Sequence, residues 1–161
     1  MKQLRHDMRY DGATTEQVYT MLANPDFREK VCDFQRFPKR TVTITPSDTG
    51  MAVRIDQFRP ADEVPSFAKK FVGAEINIVQ EEQWSSHTSA DLTVAIPGKP
   101  GDMSGTVSLA ESDGGTTETV SVDIKVNIPL VGGKIEDLIS GLLLRALKAE
   151  NKVGRDWLAQ A

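Results

Sequence analysis

This chain offers little for sulfur, metal or phosphate chemistry to use. Cys32 is its only cysteine, so no intrachain disulfide can form, and a reducing compartment is the expectation. Its two histidines, His6 and His87, fall in separate segments read as strands, without HExxH or CxxC spacing, so neither a metal site nor a cofactor is predicted. Positive charge is also short. Nineteen Lys and Arg against 23 Asp and Glu leave a net charge of -4, which argues against a protein that holds nucleic acid by neutralising phosphates. The local group Arg36, Lys39 and Arg40 reads as a solvated loop. Neither a GxSxG elbow nor a GxGxxG fingerprint occurs, which removes support for serine hydrolysis and dinucleotide binding. The opening residues MKQLRHDMRYDG lack an apolar h-region, so a cytoplasmic location is expected.

What remains is ordinary globular composition, 39% hydrophobic and 26% charged over 161 residues, and it predicts a single domain over residues 1–161. Leu4, His6, Met8 and Tyr10 alternate with polar residues, which is the period of a half-buried strand. Thr14 with Gln17 reads as a capping box for a helix from about Thr15 to Ala23. Asn24-Pro25 then starts a second short helix over Asp26 to Phe34. From Lys39 to Ile128 alternation broken by turns predicts six antiparallel strands. One interruption, Asp62 to Gly73, carries Phe67 and Phe71 four residues apart after a proline, and reads as a short amphipathic insert.

The segment IPLVGGKIEDLISGLLLRALKAE could be a membrane anchor, a phosphate loop with its helix, or a lid over something apolar. An anchor needs about 20 consecutive apolar residues, whereas Lys134, Glu136 and Asp137 precede this run and Arg145 and Lys148 interrupt it. A phosphate loop needs GxxxxGK followed by Ser or Thr, and here the first glycine is missing and Ile135 follows Lys134. The third reading survives. Ile135, Leu138, Ile139, Leu142, Ala146, Ala149, Val153 and Trp157 recur at helical spacing, so a long helix buries one face on the concave side of the sheet.

An α+β helix-grip arrangement follows, a seven-stranded curved antiparallel sheet around a long C-terminal helix in the order β-α-α-β6-α. On TTEQVYTML, PADEVPSFAKKFVG, Trp84 in EEQW, VAIPGKPGDMSGTVSL and VNIPLVGGKIEDLI, the sequence resembles an actinobacterial domain-of-unknown-function family. That family is placed in the START-like, or SRPBCC, superfamily with polyketide cyclases and lipid-transfer proteins. The resemblance implies a cavity between helix and sheet, where superfamily relatives hold sterols, lipids, polyketides or plant hormones. It carries no catalytic motif over to this chain. A space of about 300 to 1,000 Å³ is typical of ligand pockets.

Alternation and helical spacing nominate His6, Met8, Tyr10, Val53, Ile55, Gln57, Phe67, Phe71, Ile78, Trp84, Met103, Leu138 and Leu142 as ligand-binding residues. Polar groups on an apolar face either satisfy one another or orient a ligand. His6 and Glu82, with Tyr10, are the only residues that assemble into an acid–base combination, although Glu82 also reads as a solvated strand end. Cys32 reads as a plain thiol. The Phe67 and Phe71 insert, with Lys69 and Lys70, suits a gate that touches an anionic bilayer transiently, or a lid packed against the last helix. Three functions follow: a carrier or sensor of a hydrophobic small molecule, as monomer or homodimer; an enzyme of polyketide cyclase/dehydratase type in the same cavity; or a co-chaperone-like interaction module using Arg54, Asp56 and Phe58.

Overall fold

The opening alternation becomes strand β1 (Lys2–Asp11), with Leu4, Met8 and Tyr10 buried, His6 half-buried on the same face, and Arg5, Asp7 and Arg9 on the other. The computed structural model describes residues 1–62 and 64–160. Helix α1 (Thr15–Leu22) starts at the predicted capping box: the Thr14 hydroxyl accepts from the Gln17 amide at 3.1 Å and the Gln17 carboxamide accepts from the Thr14 amide at 2.8 Å. Helix α2 (Pro25–Phe34) follows one corner later, with the Asn24 side chain capping Asp26 and Pro25 in the first turn. The insert contains a third helix, α3 (Ser66–Val72), while Glu63 within the insert lies outside the described residues.

Strands β2 (Lys39–Pro46), β3 (Met51–Pro60), β4 (Glu75–Trp84), β5 (Ser89–Ala95), β6 (Asp102–Ser112) and β7 (Gly115–Lys125) pair in sequence order, and β1 closes on β7. Every pairing is antiparallel, and short turns join β2 to β3, β4 to β5, β5 to β6 and β6 to β7. His87 sits in the turn between β4 and β5 rather than in a strand, stacked on Tyr19 with ring centres 4.0 Å apart and 2.7 Å from Glu16. That turn follows from SSHTS, where four small polar residues surround the histidine and none has an apolar face to bury.

Helix α4 (Gly132–Ala159) lies mainly along β1, with further packing on β7, α1 and α2. Two features fix it. At its start the buried Glu136 carboxylate accepts from the Val126 amide just beyond β7, at 2.9 Å, and this hydrogen bond holds its pKa below the usual carboxylate range. Near its end Gly154 meets Tyr10 so closely that a Cβ there would stand 2.8 Å from the ring. Between these anchors Leu142, Leu143, Leu144 and Leu147 are only half-buried, so the helix middle is not sealed onto the sheet.

Candidate functional site

The incompletely sealed stretch overlies two small cavities. The first, about 60 Å³, takes Leu143, Ala146, Leu147 and Glu150 from α4, a spacing of three, four and seven residues that puts all four on one stripe. Helix α2 adds Arg28, Val31 and Cys32, its C-cap adds Gln35, and inward-facing strand positions add Ile55, Gln57, Gln80, Leu92, Val94, Val120 and Val122. The second cavity, about 80 Å³, is almost wholly apolar and lies under α3, the β5–β6 turn and the first half of α4. Phe71, Ile76, Ile78, Ile96, Met103, Leu138 and Leu142 are among its walls. Val94 and Leu143 border both cavities. The expected single pocket of ligand size is therefore divided in two, and each part is far smaller than predicted.

The first cavity has a polar end built on Glu82. Arg28, 3% exposed, grips this carboxylate with two parallel bonds of 2.9 Å, and its third donor reaches the Leu22 carbonyl at 2.8 Å. The Gln80 amide and the Trp84 indole donate to the same carboxylate at 2.6 Å and 2.8 Å. Glu82 is therefore buried and fully engaged, which corrects its reading as a solvated strand end and its candidacy as an acid or base. Burial would raise its pKa, but the Arg28 charge and the three donors hold it below the usual range. Burial works against the Arg28 proton too, and the Glu82 carboxylate outweighs that effect, so its pKa is raised.

Two further carboxyls, Glu118 of β7 and Glu150 of α4, are buried beside this pair. Burial favours the neutral form of each. Burial and the neighbouring charges of Glu150 and Glu82 push Glu118 well above its ordinary value. Burial raises Glu150 as well, opposed in part by Arg28. The Tyr10 hydroxyl donates to Glu118 at 3.5 Å, and burial raises its pKa also. Glu150 Oε1 is buried without a hydrogen-bond donor. Burial lifts the Cys32 thiol to about 11, which keeps it protonated at neutral pH, 4.0 Å from the Gln57 side-chain carboxamide oxygen.

The predicted residues separate into two groups. Ile55 and Gln57 line the first cavity, and Phe71, Ile78, Met103, Leu138 and Leu142 line the second. Met8, Tyr10, Val53 and Trp84 instead fill the core, Phe67 packs beside Ala68 and Ile76, and His6 lies half-buried on the inner face of β1 away from both cavities. Arg28, Glu118 and Glu150 were not anticipated. Glu118 was legible, since it continues the inward period of Val120 and Val122; Arg28, inside the charged run FREKVCDF, was not. Among the described residues no three His, Cys, Asp or Glu side chains are arranged to hold a metal ion.

Residues 5–158 match the model of a family described as "Protein of unknown function (DUF2505)". Uncharacterized proteins of Mycobacterium tuberculosis and Mycobacterium bovis are 28% identical to this chain over 101 residues, a stretch that is 59% of this chain and 58% of each relative. The match thus spans little more than half the length of these curated relatives. Among solved structures, a protein from Thermus thermophilus aligns with a TM-score of 0.65 at 16% identity over 96% of this chain and 95% of its own. The Zhui aromatase/cyclase of a Streptomyces species aligns with a TM-score of 0.62 at 13% identity, over 96% and 92% of the two chains. Truncated norcoclaurine synthase from Thalictrum flavum gives 0.62 at 16% identity, over 94% and 92%. At these identities the likeness is one of fold.

Proposed function

The chain belongs to the DUF2505 family and carries the helix-grip fold, and on that footing we propose that it binds a hydrophobic small molecule between α4 and the sheet. One observation carries this reading: two abutting cavities under a helix whose central leucines are only half-buried. Each is smaller than the roughly 150 Å³ apolar cavity that accepts benzene, and together they approach it. Moving the Leu143 side chain, which borders both, would join them. The ligand contacts proposed are the cavity-lining residues Ile55, Gln57, Phe71, Ile78, Met103, Leu138 and Leu142. Access runs past α3, whose Phe71 stands at the second cavity. Among the described residues no helix is long and apolar enough to cross a membrane, so the proposed bilayer contact of α3 is peripheral.

The test is native mass spectrometry of protein purified without denaturant, with thermal unfolding across a panel of small apolar compounds. A co-purifying mass, or a raised Tm that Ile78→Trp abolishes by filling the second cavity, is the expected result. No bound mass and no shift with any compound would overturn the proposal.

A second reading, proton transfer to a substrate in the same space, draws on one observation, the buried Glu150 carboxyl that lines the first cavity beside Glu118, where burial raises both pKa values. It moves the acid from the sequence-based candidates His6 and Glu82 to Glu150, because His6 lies off the cavities and Glu82 has no free lone pair to spare. Turnover of a polyketide-like substrate that survives Glu150→Gln at full rate would exclude it.

A further inference from the structure

The polar end of the first cavity holds more acid than base. Six titratable side chains meet there from five elements: Tyr10 of β1, Arg28 and Cys32 of α2, Glu82 of β4, Glu118 of β7 and Glu150 of α4. Arg28 is matched by Glu82 in a two-pronged pair. The cation acting on Glu118 and Glu150 is that same, already matched, Arg28. Glu150 Oε1 is buried without a donor, on a side chain 9% exposed that lines the cavity. A buried carboxylate without its own counter-ion is driven to take up a proton or to find a cation, and burial raises the pKa of both Glu118 and Glu150.

We infer that this polar end is a recognition site for an amine: the ammonium head of an amphiphilic small molecule donates to the Glu150 carboxylate, while its apolar body runs past Leu143 and Val94 into the second cavity. The inference rests on the binding function proposed above and names the ligand class. Charge decides among the possible heads. A carboxylate head would meet the Glu150 carboxyl, with Glu82 and Glu118 buried behind the wall, and one committed guanidinium. A hydroxyl could donate to Glu150 but would leave the acid pair as it is. An ammonium supplies the positive charge that a bound proton otherwise supplies, so the ligand enters as its conjugate acid, one proton leaves the Glu118 and Glu150 carboxyls for solvent, and the net charge of the site is unchanged. Gln57 and Gln80, on the same wall, have carboxamide oxygens of the right kind to accept from the remaining ammonium hydrogens.

Three isosteric probes, hexylamine, hexan-1-ol and hexanoate, separate the cases by calorimetry and thermal shift on the whole chain. The amine is expected to bind about tenfold tighter than the alcohol, because a charge-assisted hydrogen bond replaces a neutral one, and the carboxylate weakest. Calorimetry in buffers of different ionisation enthalpy should show about one proton released per amine bound and none per alcohol. Glu150→Gln should remove the amine's advantage over the alcohol. Equal binding of amine and alcohol in the wild type, tightest binding of hexanoate, or amine binding without proton release would each overturn the inference and leave the binding function standing. Failure of all three probes to bind would overturn both.

Discussion

Two consecutive residues of β4, Glu81 and Glu82, each pair with an arginine, on opposite faces of the sheet. Outside, Arg54 reaches Glu81 at 2.7 Å, with both side chains about half exposed, at 51% and 54%. Inside, Arg28 reaches Glu82 at 2.9 Å, with exposures of 3% and 5%. The outer contact is the shorter, yet it does less. Water screens both outer charges before and after pairing, so little changes when they meet. The inner charges were stripped of water on folding, and each now depends wholly on the other and on Leu22, Gln80 and Trp84. Burial, not distance, decides what an ion pair does, and it turned the inner face into the candidate site. The outer residues Arg54 and Asp56 of the interaction-module reading are held by one another and by Glu81 and Asn77, as a solvated face would be.

The comparison breaks most directly at Arg28. Arg28→Met should cost about 3 to 5 kcal/mol in urea unfolding, since it leaves Glu82 buried and uncompensated. Arg28→Met with Glu82→Leu should recover most of that loss, because an apolar pair of similar volume leaves no stranded charge. A single variant as stable as the wild type would mean that Glu82 simply takes up a proton. The next test is Glu118→Gln. A carboxyl whose pKa is raised by folding stabilises the protein below its ordinary value of 4.5 and loses that contribution as pH rises toward the folded value. Wild-type stability should therefore fall relative to the variant by about 1.4 kcal/mol per pH unit above that point, for as long as the folded carboxyl keeps its proton. Glu82 has the opposite sign: its pKa is lowered, so its contribution is present above 4.5 and lost as acid titrates it. A flat difference between wild type and Glu118→Gln across this range would show that Glu118 is ionised in the fold.

The architecture was readable because it rests on periodicity. Alternation gave the strands, Thr14 with Gln17 and Asn24-Pro25 gave two helix starts, and the stripe from Ile135 to Trp157 gave the last helix. The apolar half of the site was readable for the same reason, since Ile78, Met103, Leu138 and Leu142 belong to those patterns. The polar half was not. A charged residue in a helix faces water far more often than a cavity, and although Arg28 shares a stripe with Val31 and Cys32, and Glu150 with Leu143 and Leu147, spacing alone does not say that a charge there stays buried. Their burial is set by the partner 54 residues away in Arg28–Glu82 and by the crossing of α4 over β7. Cavity size was equally invisible, because it depends on how far Leu143 and its neighbours reach into the space and not on which face they occupy.

The smallest effect belongs to the outer pair and sharpens the comparison by its smallness. Arg54→Ala removes the bonding partner of Glu81 and a neighbour of Asp56, and both carboxylates return to water with little penalty. The expected loss is below about 1 kcal/mol, and it should shrink further in roughly 0.5 M salt because exposed pairs are screened. The same salt should leave the effect of Arg28→Met unchanged, since mobile ions do not enter the buried polar end. A loss at Arg54 matching that at Arg28, and insensitive to salt, would mean that the outer face is covered in solution, by a second copy or another partner, and would raise the interaction-module reading above the others.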